Sequence, residues 1–129
     1  MKITASTVSL NVEDVAASSD FLIRDFGFQE QMAADGFASL AREDAGMNVV
    51  LLRLGLSLLP VDQRDDRASG LILAFTVEDL EGELARLQSE RVIITMQLTI
   101  EEWGERAFQV RDPHGVIVQL VDWGRATAG

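Results

Sequence analysis

The sequence predicts an α+β fold of two tandem βαβββ modules within one chain of 129 residues. Three observations lead there. A short string occurs once in each half, "VEDV" from Val12 and "VEDL" from Val77. Each copy follows an alternating strand-like run and precedes a stretch with helical spacing. After each helical stretch come three more strand-like runs, separated by turn residues. Two such modules would set their sheets together, each helix covering one face. The other faces would form a cupped mixed sheet around a central cavity.

In the first module, Val8, Leu10 and Val12 alternate with Thr7, Ser9 and Asn11, the period of a half-buried strand. Asp14 is placed to cap the helix that follows. Val15, Ser19, Leu22 and Phe26 mark one helical face, and Gly27 suits its end. The runs "FQEQMAA", "FASLARE" and "NVVLLRL" read as strands, with "DG" at 35–36 and "DAG" at 44–46 as turns. Module one therefore covers about 1–55. Residues 56–69 hold Pro60 and the charged run "DQRDDR" and read as a surface linker.

Module two covers about 70–125. Leu71, Leu73, Phe75 and Val77 alternate with Ile72, Ala74 and Thr76, and Asp79 is the cap. Leu80, Leu84, Leu87 and Arg91 mark the helical face. The runs "VIITMQL", "ERAFQVR" and "VIVQLVDW" read as strands, and "DPHG" at 112–115 as the turn between the last two.

Composition narrows the function. The longest apolar runs fall short of the roughly 18–20 residues that span a bilayer, so no membrane association is expected. The start lacks the pattern of a signal peptide, and cysteine is absent, so a cytoplasmic protein without disulfide or thiolate chemistry is expected. A net charge of −10 argues against nucleic acid and favours cationic ligands. The single histidine, His114, sits in a turn and has no obvious partners for a triad or a metal site. The glycines show no dinucleotide or phosphate-loop spacing.

The segment "WGERAFQVRDPHGVIVQLVDW" at 103–123, together with "FLIRDFGF" at 21–28, resembles the vicinal oxygen chelate superfamily. That superfamily holds glyoxalase I, extradiol dioxygenases and bleomycin-resistance proteins. The resemblance covers nearly the whole chain. It implies metal ligands on the first and last strand of each module, near Thr7, Ile72 and Gln119 and within one residue of Leu51. Leucine and isoleucine carry no donor atom, and a lone glutamine holds no divalent ion. The expectation is therefore no metal, no cofactor and no catalytic residue, closest to the metal-free bleomycin-resistance type.

On this reading the protein binds and sequesters a small, antibiotic-like compound, aromatic or cationic, in a drug-resistance role. The alternative is a lyase, isomerase or dioxygenase-like enzyme of the same superfamily. Alternation assigns to the cavity face Thr7, Ser9, Asn11, Val49, Leu51 and Arg53 in module one, and Ile72, Ala74, Thr76, Ile117, Gln119 and Val121 in module two. The expected ligand-binding residues are Thr7, Ser9, Phe37, Leu51, Ile72, Ala74, Trp103, Phe108 and Gln119. Such a set, mostly apolar with a few hydrogen-bonding groups, suits a small-molecule site. The apolar start of the linker and the habit of the resembled family suggest a homodimer whose chains share pockets.

Overall fold

In the computed structural model, which describes residues 1–123, Asp14 accepts a hydrogen bond from the Ala17 amide at 3.2 Å. That bond starts helix α1 (Val15–Phe26). A helix leaves its first amides without intrahelical partners, and the Asp14 carboxylate satisfies one of them. The helix ends at Gly27, whose φ of 69° is left-handed. There the Gly27 and Phe28 amides turn back to the carbonyls of Ile23 and Leu22.

Two compact units divide the chain, one ending at Ser69 and the other starting at Gly70. The first contains α1 and strands β1 (Thr7–Val12), β2 (Gln29–Ala34), β3 (Phe37–Ala41) and β4 (Asn48–Arg53). Its sheet runs in the order β1-β4-β3-β2. β1 and β4 are parallel and the other pairs antiparallel, because α1 and the β2–β3 hairpin form the crossover between β1 and β4. Leu10, Val12, Leu40, Val49 and Leu51 are at most 1% exposed and form the core beside Leu22 of α1. Asp25 is buried as well, and its carboxylate accepts from Nε and Nη2 of Arg24.

Residues 56–69 hold more order than their composition suggests. A 3₁₀ turn spans Val61–Gln63. Arg64 donates to the carbonyls of Ser57 and Leu59, and Leu59 is buried. The Ala68 amide donates to Asn11 O and so ties the segment to β1.

The second unit repeats the plan with β5 (Ile72–Thr76), α2 (Leu80–Ser89), β6 (Ile94–Ile100), β7 (Arg106–Arg111) and β8 (Ile117–Asp122), in the order β5-β8-β7-β6. Each unit is therefore a βαβββ module with a four-stranded mixed sheet. Asp79 caps α2 by accepting from the Gly82 amide at 3.0 Å. One expectation fails here: Arg91 is not on the helical face. The helix ends at Ser89, and Arg91 takes a left-handed φ of 65° in the exit turn. The Val92 amide then bonds back to Leu87 O.

Candidate ligand-binding faces

The β7–β8 hairpin is built around Asp112. Its Oδ1 accepts from the amides of His114 at 2.8 Å and Val116 at 2.9 Å. With Gly115 at φ 86°, this closes the turn and places His114 at its centre. The resulting register sets Gln109 opposite Gln119, Phe108 opposite Leu120, and Arg106 opposite Asp122.

Register then sorts the side chains by face. On β8 and β5, Gln119 lies beside Ala74 and Ile117 beside Ile72. These residues, with Gln109 of β7 and Met96 of β6, share the face turned away from α2. Ala74 is exposed, Ile72 is 48% exposed, and both glutamines are half-buried. Gln109 Nε2 donates to Gln119 Oε1 at 2.7 Å.

In the first unit the corresponding face carries Thr7, Ser9 and Asn11 of β1, Val50 and Leu52 of β4, and Phe37 of β3. Thr7 and Ser9 are exposed, and Phe37 is half-buried. Thr7, Ser9, Ile72, Ala74 and Gln119 thus stand on the faces that alternation gives them, opposite the helices, and Phe37, which alternation leaves unplaced, lies in register with Leu52 on the face of the first unit. Each sits in its own unit.

Two expected residues stand elsewhere. Leu51 is in register with Leu10 and Ala38, and it is fully buried on the α1 side of the sheet. Val49 and Arg53 share its face, so Val50 and Leu52 are the residues of β4 on the opposite side. Phe108 is also fully buried, in register with Leu120, and belongs to the core of the second unit. Trp103 occupies the β6–β7 turn and is 64% exposed. That turn is held by Glu101 and Glu105, whose backbones are hydrogen-bonded at 2.8 Å.

Two of the clefts among the described residues reach beyond these faces. One of about 620 Å³ lies between the start of α1 and the β2–β3 hairpin, lined by Glu13, Asp14, Asp20, Asp35, Phe37 and Arg53. Arg53 donates to Asp35 at 2.8 Å and holds its carboxyl below the usual range. The other, about 650 Å³, is lined by Thr76, Glu78, Glu81, Arg106, Asp122 and Trp123. Its arginine bridges Glu81 and Asp122. In both clefts arginine engages part of the acidic lining, so those carboxylates have structural work.

Donor chemistry tests whether these positions fit a metal. Where metal ligands are expected stand Thr7 on β1, Ile72 on β5 and Gln119 on β8, with Val50, next to Leu51, as the residue of β4 on that face. Their ladder neighbours are Asn48 beside Thr7, Ser9 beside Val50, Ile117 beside Ile72 and Ala74 beside Gln119. A divalent iron, zinc or manganese site needs imidazole or carboxylate donors, and these positions offer none. The residues present do not fit such an ion. Among the described residues, no group of three or more His, Asp or Glu side chains is placed to hold one. No helix is long and apolar enough to cross a membrane among those residues.

Gln109 is the residue that sequence reasoning missed. The hairpin turn centred on His114 held the signal, since Gln109 and Gln119 are equally far from it in the sequence. Counting outward from that turn pairs the two glutamines.

Residues 4–120 match the family model of the Glyoxalase/Bleomycin resistance protein/Dioxygenase superfamily. Among solved structures, the chain is similar to a glyoxalase/bleomycin resistance protein/dioxygenase from Nocardioides, with TM-score 0.78, 16% identity, and coverage of 95% of this chain and 85% of that one. It is similar to TioX from Micromonospora sp. ML1, with TM-score 0.69, 25% identity, and coverage of 92% and 97%. It is also similar to a lactoylglutathione lyase from Agrobacterium tumefaciens, with TM-score 0.74, 15% identity, and coverage of 98% and 97%. No curated protein gives a significant match.

Proposed function

Because the chain belongs to the glyoxalase/bleomycin resistance protein/dioxygenase superfamily, we propose that it uses this fold as a metal-independent binding protein. It sequesters a small aromatic or cationic compound of antibiotic-like size and does not transform it. The observation that carries this reading is the donor set. Thr7, Val50, Ile72 and Gln119 stand where the family's metal enzymes would need imidazole or carboxylate.

What those positions offer instead is adhesion. Ile72, Ala74, Ile117 and Met96 give an apolar surface, and Gln109 and Gln119 add hydrogen-bonding groups. Binding sites for small molecules have this composition. The exposed ring of Trp103 is free to stack on a planar ligand, and the charge of −10 draws cations toward the chain. In the 56–69 segment, Leu58 and Val61 are 66% and 81% exposed, which supports pairing of two chains through that region. Sedimentation at micromolar concentration should then give twice the chain mass.

The test is a fluorescence titration of chelator-treated protein with a panel of planar aromatic and cationic antibiotics, with chromatography of each compound afterwards. Saturable binding with the compound recovered unchanged is expected. Chemical conversion of any compound, binding that appears only after metal is added, or no binding across the panel would overturn the reading.

A further inference from the structure

The binding reading leaves open which chemistry the face of the second unit recognises, and the Gln109–Gln119 pair answers it. A carboxamide carries two N–H donors and one carbonyl acceptor. The bond from Gln109 Nε2 to Gln119 Oε1 leaves the Gln119 NH₂ group and the Gln109 carbonyl oxygen without a partner among the described residues. No buried side-chain nitrogen or oxygen among those residues lacks a hydrogen bond, so both groups reach the surface. Turning both carboxamides over reverses the internal bond and still presents one NH₂ and one carbonyl side by side.

The surroundings fix the shape of the ligand. Ala74, beside Gln119, is exposed and places only a methyl group on this face. Ile72 and Ile117 continue the floor along the strands, and Met96 flanks Gln109. A flat apolar surface with an adjacent donor and acceptor complements a flat molecule whose edge carries the converse pair.

We infer that this face binds planar cyclic amides. The lactam carbonyl accepts from the Gln119 NH₂, and the lactam N–H donates to the Gln109 carbonyl. This inference rests on the binding reading above and names its ligand class. A ring carboxylate has no N–H for the Gln109 carbonyl. It would instead favour Arg111, which stands on the same face one strand repeat away, about 7 Å.

The experiment uses the full chain with ¹⁵N-labelled glutamine side chains and three probes: isoquinolin-1-one, its N-methyl derivative, and isoquinoline-1-carboxylate. Isoquinolin-1-one should shift the Gln109 and Gln119 NH₂ resonances and saturate. The N-methyl compound should bind about tenfold more weakly, since it loses one hydrogen bond and strands a carbonyl. Gln119→Glu, close in shape but without the NH₂, should weaken isoquinolin-1-one by a similar factor while its melting temperature stays near that of the parent. If that variant does not fold, the comparison of probes on the parent decides alone. Equal binding of the lactam and its N-methyl derivative, tighter binding of the carboxylate, or no shift from any probe would overturn the inference. Equal binding would leave the general binding reading standing, and the antibiotic titration judges that reading separately.

Discussion

Arg106 on β7 and its ladder partner Asp122 on β8 form a two-point ion pair, with Nε donating to Oδ1 at 2.8 Å and Nη2 to Oδ2. Nη1 of the same guanidinium reaches Glu81 in α2. One side chain thus ties the helix to the two central strands of its sheet. Arg106 lowers the pKa of Glu81 from its ordinary value of 4.5. A carboxyl lowered in this way contributes stability that is present above its unfolded pKa and is lost as pH falls through the folded value. Glu81→Gln should therefore lower the urea midpoint slightly at pH 7. The gap from the parent should narrow as the pH falls through the lowered pKa of folded Glu81 and close below it, where both states are protonated. Urea melts at pH 7, 5 and 3 check this. A gap that persists unchanged at pH 3 would mean that charge plays no part.

Asp112 should matter more. Its carboxylate satisfies the amides of His114 and Val116, and it is 7% exposed itself. Removing an acceptor from buried donors costs about 1–3 kcal/mol. Asp112→Ala should lose that much in a urea melt, and Asp112→Asn, which keeps an acceptor oxygen, should lose less. Because this turn sets the Gln109–Gln119 register, Asp112→Ala should also disturb the glutamine NH₂ resonances.

The caps and strand faces with one clear polar phase were legible in the sequence. Asp14, Asp79 and Gly27 act as their residue types suggest, because short polar side chains and glycine solve a local backbone problem. The alternation of Thr7, Ser9 and Asn11 against Val8, Leu10 and Val12 gave the two faces of β1 correctly. The phase of β4 was not legible. In "NVVLLR" both phases are apolar at their centre, so alternation gives no vote, and only pairing with β1 places Leu51 beside Leu10. Phe108 is ambiguous in the sequence for a related reason. An aromatic side chain suits a ligand site and a core equally well, and its register with Leu120 decides for the core. The helical spacing runs on to Arg91, although the helical backbone ends at Ser89.

Trp103 and Phe108 therefore make a sharp contrast. Phe108→Ala empties a fully buried position and should cost about 3–5 kcal/mol of stability. The fraction that remains folded should bind ligand as the parent does. Trp103→Ala, at an exposed turn, should change stability by less than about 0.5 kcal/mol. If Trp103 stacks on the ligand, the same change should weaken binding by about 2–4 kcal/mol. Trp123→Ala serves as the control in the same fluorescence titration. A collapse in stability with unchanged binding for Trp103→Ala would mark that residue as structural.

Metal independence is the claim on which the functional account turns, and native mass spectrometry of the purified chain tests it most directly. The account predicts protein ions with no stoichiometric iron, zinc, nickel or manganese, and a melting temperature that EDTA leaves unchanged. One equivalent of such a metal per chain, removed by EDTA together with stability or ligand binding, would contradict the reading of Thr7, Val50, Ile72 and Gln119.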